Sequence, residues 1–222
     1  MDLAERLSRL HGELRLHPEV RILAASKQVP SATLRQAHAL GLRHFGENYF
    51  QEAVEKIPDL ADLEGTVWHF IGRIQRNKTS GIARHFSWVE SVGRLLVAER
   101  LDAARAGLPP LNVLLEVAVS GEGGKGGVSP EALPELARAV IRLPRLRLRG
   151  LMALVHPGQE QAEAGFVRMQ ELFRDLQERH PEAGIDTLSM GTSGDYALAV
   201  AHGATEIRLG TALFGARPKE GA

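Results

Sequence analysis

Short apolar runs of five to nine residues alternate with longer amphipathic ones along nearly the whole chain, and this limits the available folds more than any other feature. Strand-like runs lie at 21–26, 43–47, 67–72, 86–91, 111–119, 146–154, 185–190 and 205–210. They are rich in β-branched and aromatic residues without clean apolar–polar alternation, the pattern of strands covered on both faces. Between them, stretches such as SATLRQAHAL, NYFQEAVEKI and QAEAGFVRMQELFRDLQERH place apolar residues at helical spacing. Strand–helix alternation predicts a parallel sheet with right-handed crossovers. Eight units in 222 residues predict one α/β domain over 1–222, a closed (β/α)8 TIM barrel. The competing open, doubly wound sheet carries a Gly-rich turn after its first strand, and ASKQVPS is not one. The helix ahead of the first strand, MDLAERLSRLHGEL, is expected to plug or flank the barrel's bottom.

Charge excludes some partners. Lys and Arg total 27, as do Asp and Glu, so no global field favours nucleic acid or an acidic membrane. Without cysteine there is no disulfide, thiolate metal site or cysteine nucleophile. No stretch reaches the roughly 20 apolar residues of a membrane span, and the amino terminus lacks the apolar core of a signal peptide. A cytoplasmic protein is expected.

In such a barrel the loops after the strands form the active face. The polar groups assigned there are Lys27, Glu47-Asn48-Tyr49, the GRIQRNK loop, Glu90-Ser91, the GEGGKGG loop, His156, and the SMGTSGD and GTALFG turns. Lys27 follows the first strand directly. It is either a solvated cation or an amine whose lowered pKa makes it nucleophilic toward a carbonyl. Lys78 and Lys125 are also at loop positions, while Lys56, in a helical pattern, and Lys219 are expected to be solvated. The two Gly/Ser/Thr turns after the last two strands suit phosphate, because small residues and helix N-termini present free N–H groups. Capping by Ser193 and Thr211 explains them equally well. Arg208, within the last strand, needs an acid, backbone carbonyls or a ligand. His44, His69 and His156 show no metal-ligand spacing and read as core or rim histidines, so no metal site is expected. GEGGKGG fails as a P-loop, lacking Ser/Thr after its lysine, and reads as a flexible lid. Arg73, Arg76 and Lys78 read as a solvated loop.

ILAASKQVP, HFGENYFQEAVEK, WHFIGRIQRNK, LRGLMAL and LSMGTSGDYALAVAHGATEIRLGTALFGAR together resemble the pyridoxal phosphate homeostasis proteins, single-domain relatives of the alanine racemase N-terminal barrel. The resemblance runs in order from about residue 20 to 217. It implies the cofactor pyridoxal 5′-phosphate, held as an internal aldimine on Lys27. It places Asn48 beside the ring, Met190, Gly191 and Ser193 with Gly210 and Thr211 at the phosphate, and Arg208 at the pyridine nitrogen. It implies buffering or delivery of the cofactor, with apo pyridoxal-phosphate enzymes as possible recipients. No catalytic residue is assigned. Related racemases take a tyrosine base from a second domain, whereas here the tyrosines are Tyr49 and Tyr196, of which Tyr49 is better placed to reach the pocket. Without that domain's interface a monomer is expected. Arg73, Ile74, Gly194, His156-Pro157 and the VAVSGEGGKGG run depart from the family pattern at the rim. The alternatives are a weakly active racemase or lyase, a cofactor-free Schiff-base aldolase, and an interaction protein with a vestigial pocket.

Overall fold

A computed structural model describes residues 1–119, 126–155 and 159–216, with side chains from 162 onward in the last stretch. Lys125, His156 and Lys219, and most of the glycine-rich GEGGKGG loop, lie outside the described residues. The strands are β1 (Arg21–Ala25), β2 (His44–Glu47), β3 (Val67–Phe70), β4 (Trp88–Val92), β5 (Leu111–Glu116), β6 (Leu146–Met152), β7 (Thr187–Thr192) and β8 (Glu206–Leu209). They pair in parallel in sequence order, and β8 closes on β1. The expected barrel is therefore the fold. Helices α1 (Leu3–Glu13), α2 (Ser31–Ala39), α3 (Phe50–Asp59), α4 (Thr79–His85), α5 (Leu95–Ala104), α6 (Leu133–Ile141), α7 (Gln159–Arg179), α8 (Tyr196–Ala201) and α9 (Thr211–Phe214) surround it.

The main core lies between the barrel and its helices, where Ile22, Ala24, Phe45, Phe70, Ile207 and Leu209 meet the apolar helix faces. Inside the barrel, Trp88, Leu114 and Met152 form a separate small cluster. The rest of the interior is polar: His69, Glu90, Ser189, Glu206 and Arg208 are all buried. Register explains why. Ser189 pairs with Glu206, Met152 with Ser189, and Leu23 with Arg208, and paired residues of adjacent parallel strands face the same side.

The first helix starts where Asp2 and Glu5 form a reciprocal capping box. It does not plug the barrel. It packs on the outside against α9, and its Glu13 accepts a hydrogen bond from the Tyr196 hydroxyl of α8. The reason is length: α9 has only four residues, too few to cover the outer faces of β8 and β1. Leu7, Leu10 and Leu14 of the first helix and the segment after it complete that core.

Candidate functional site

At the carboxyl-terminal mouth, β1 runs into buried Ser26 and half-buried Lys27. The chain then turns sharply. Gln28 adopts a left-handed conformation at φ 58°, which a non-glycine residue holds at a cost of about 1–3 kcal/mol. Its N–H donates to Glu52 Oε1 at 2.5 Å, and Val29 N–H donates to the Ser26 carbonyl at 3.0 Å. Pro30 then leads into α2.

Lys56 anchors this turn. It was expected in solvent, yet it is buried, and its Nζ donates to the Ser26 carbonyl (2.8 Å), Glu47 Oε1 (2.8 Å) and Glu52 Oε1 (2.7 Å). One ammonium thus ties the end of β1, the end of β2 and α3. Glu47 faces the helix layer, and a carboxylate there needs a cation, which draws Lys56 inward. Burial raises its pKa, with Lys56 and Ser26 acting against that shift. Glu47 is therefore not an active-face group. The Glu52–Lys56 spacing of four residues was the visible signal.

Asn48 is half-buried at the exit of β2. Its carbonyl oxygen lies only 1.9 Å from where a Cβ on Gly72 would sit, so glycine is required at 72. The Ser91 hydroxyl donates to the Gly72 carbonyl at 2.5 Å. The exits of β2, β3 and β4 are thereby locked together.

The two glycine turns meet through Ser193. Its Oγ accepts from the N–H groups of Gly210 (3.2 Å) and Ala212 (3.1 Å). It caps the start of α9 from a neighbouring loop rather than its own helix α8. Gly191, at φ 90°, lets the chain leave β7 where a Cβ would press on Ala199 at 2.6 Å. Thr211 is exposed on the first turn of α9. Gly194 is exposed with open space around its Cα, so no packing demands glycine there. Met190 is fully buried in the core outside the barrel, so only its backbone is offered to this mouth.

Arg208 is buried below the mouth. Its guanidinium donates to Ser189 Oγ and the Ala153 carbonyl, both at 2.7 Å. Backbone and hydroxyl acceptors are thus its direct partners. Ser189 donates onward to Glu90 Oε2 at 2.8 Å, and Glu90 Oε1 is 2.7 Å from His69 Nδ1. His69 Nε2 is 2.8 Å from His44 Nδ1, so a hydrogen-bonded chain crosses the barrel from Arg208 to its opposite end. Glu90, assigned from sequence to the active face, is instead inside this chain. Burial raises the Glu90 pKa against the pull of Arg208. Burial first and Glu90 second raise that of Glu206, which takes Arg21 Nε at 2.7 Å. Burial lowers His69 and His44 to about 4, so both rings are neutral at pH 7. Ligand atoms of His69, Glu90 and Glu206 lie within 4.8 Å of one another, but Arg21 and Arg208 already balance the acids.

Barrel closure brings these parts together. Leu23 lies beside Arg208 and Ala24 beside Leu209, so Lys27 and the Gly210–Thr211 turn leave adjacent strands. An amine, two joined turns with backbone donors, and a buried guanidinium share one end of the barrel. Tyr49, which precedes α3, is 57% exposed. Tyr196 is tied to Glu13, and burial with that bond pushes its pKa up to about 12.

The family model described as alanine racemase, N-terminal domain, matches residues 2–218. A pyridoxal phosphate homeostasis protein of Pseudomonas aeruginosa is 58% identical, covering 89% of this chain and 85% of its own. The Escherichia coli K12 protein of that name is 44% identical over 97% of each chain. The chain belongs to the pyridoxal phosphate homeostasis protein family. Among solved structures, PipY of Synechococcus elongatus without PLP superposes with a TM-score of 0.91 at 38% identity, covering 96% of this chain and all of that one. PipY with PLP bound gives 0.85. Alanine racemase of Corynebacterium glutamicum, at 13% identity and a TM-score of 0.76, shares the fold.

Proposed function

We propose that this protein binds pyridoxal 5′-phosphate at the mouth of the barrel and serves its homeostasis in the cytoplasm, as a monomer that holds or hands on the cofactor. The observation that supports this reading is the β1–β8 pairing, by which Lys27 and the Ser193-linked turns follow adjacent strands at one end of the barrel. The donor set fits the group. Lys27 is the covalent anchor, Gly191 and Gly210 leave room for the phosphate to approach closely, and Ser193 and Thr211 offer it backbone N–H groups. Asn48 flanks the ring, Met190 contributes backbone, and Arg208 faces the ring nitrogen. When bound, the cofactor supplies an aldehyde that links reversibly to amines and a ring that draws electrons from them. A guanidinium at the ring nitrogen disfavours protonation there and so weakens that electron demand. Tyr196, held by Glu13, is no ready base. Both features favour holding the cofactor over turning over amino acids. Apo enzymes that use the cofactor are the recipients this reading implies.

The test is an absorbance spectrum with added pyridoxal 5′-phosphate, then borohydride reduction and peptide mapping. The expected result is one reduced adduct, on Lys27, absent in Lys27→Ala. An adduct on Lys78 instead, or alanine turnover that Lys27→Ala abolishes, would refute the holding role. Sedimentation at micromolar concentration checks the monomer.

A further inference from the structure

At the opposite, amino-terminal end of the barrel lies a cleft of about 480 Å³ between the end of α1 and the starts of β1 and β2. Its charged and titratable lining is one-sided: His11, Arg15, His17, Arg21, Arg43 and His44, with no acid among the described residues. In a chain whose charges cancel, this is a local excess. Part of it is already matched. Arg21 pairs with Glu206, and His17 lies 3.6 Å from exposed Glu19. The remainder is available. Arg15 and His11 are exposed, with no side-chain partner among the described residues, and Arg43 gives only one nitrogen to the carbonyls of His38 and Leu42. His44 uses Nδ1 on His69, which leaves Nε2 for a ligand. The walls between these groups are apolar: Leu14, Pro18, Val20, Ile22 and Leu42. A concave site with an apolar wall and convergent cations recognises a flat ring bearing an anion, and its volume is within the usual range for small-molecule sites.

We propose that this cleft is a second binding site, separate from the mouth of the barrel, for an aromatic phosphomonoester. Arg15 and Arg43 hold the phosphate and the apolar wall takes the ring. Nucleotides and pyridoxal 5′-phosphate itself share that chemistry. The inference does not depend on Lys27 holding a cofactor.

Calorimetric titration of the full chain tests it with AMP, inorganic phosphate and, in Lys27→Ala, pyridoxal 5′-phosphate. Exposed Arg15 can be reversed without disturbing the core. The expected result is AMP binding that persists in Ser193→Ala, weakens about tenfold in Arg15→Glu, and weakens with added salt. If AMP fails but pyridoxal 5′-phosphate binds Lys27→Ala with the same Arg15 dependence, the proposal stands with the cofactor as ligand. Binding of neither overturns it, as does binding indifferent to Arg15→Glu or lost only in Ser193→Ala. Inorganic phosphate binding as tightly as AMP overturns the aromatic part.

Discussion

Replacing Lys56 with methionine keeps the aliphatic stem and removes the cation that Glu47, Glu52 and the Ser26 carbonyl share. Breaking a buried pair from one side costs about 3–5 kcal/mol, less whatever Glu47 recovers by taking a proton. Lys56→Met is therefore expected to lower unfolding free energy in urea by about 3 kcal/mol. It should also reduce the yield of the borohydride adduct, since the Lys27 turn loses its anchor. A variant as stable as the parent would mean that the three-way contact adds nothing. This residue marks a boundary of what a sequence conveys. Its charged neighbours along the helix suggest a solvated face, and only the approach of β2 to α3 makes it internal.

Ser193 and Gly72 act at the level of elements, because each joins loops from different strands. Ser193→Ala leaves the Gly210 and Ala212 N–H groups without their acceptor. The expected loss is about 1 kcal/mol in stability, and about tenfold in cofactor affinity as the two turns separate; equilibrium titration reads the second. Gly72→Ala would drive a methyl group into the Asn48 carbonyl, so the loops after β2 and β3 must part. A loss of about 1–3 kcal/mol is expected, by analogy with overpacking. The first helix makes a similar point. Leu10 is fully buried between it and the barrel, and Leu10→Ala should cost about 2–5 kcal/mol in thermal or urea unfolding. A helix that merely decorated the surface would tolerate the change.

For the molecule as a whole, the polar interior makes stability depend on pH. His69 and His44 sit near 4 when folded and near 6.5 when unfolded, so the unfolded chain binds more protons between those values. Stability therefore falls as pH drops from about 6.5 towards 4. The raised carboxyls of Glu90 and Glu206 act in the opposite sense, because the folded state takes up their proton first. Comparing the parent with His69→Gln isolates the histidine part. Urea unfolding at pH 7 and pH 5 should show an acid-induced loss smaller in His69→Gln by about 1–2 kcal/mol, the linkage expected over that interval. An equal loss in both proteins would show that the ring takes up its proton over the same pH range in the fold as in the unfolded chain.

Local pattern alone determined the barrel, its strand order and which loops leave the strands at one end. Strand periodicity and glycine placement are nearest-neighbour properties, and a parallel crossover leaves few ways to connect them. Motif resemblance carried the family and the candidate anchor, Lys27. Tertiary structure decided which polar residues are internal. Lys56, Glu47 and Glu90 look like surface charges in one dimension, and Met190 looks like part of a loop. Burial depends on which strand lies alongside, and on which face a side chain takes after register is set. That information is in pairings such as Leu23 with Arg208, 185 residues apart, rather than in any local run.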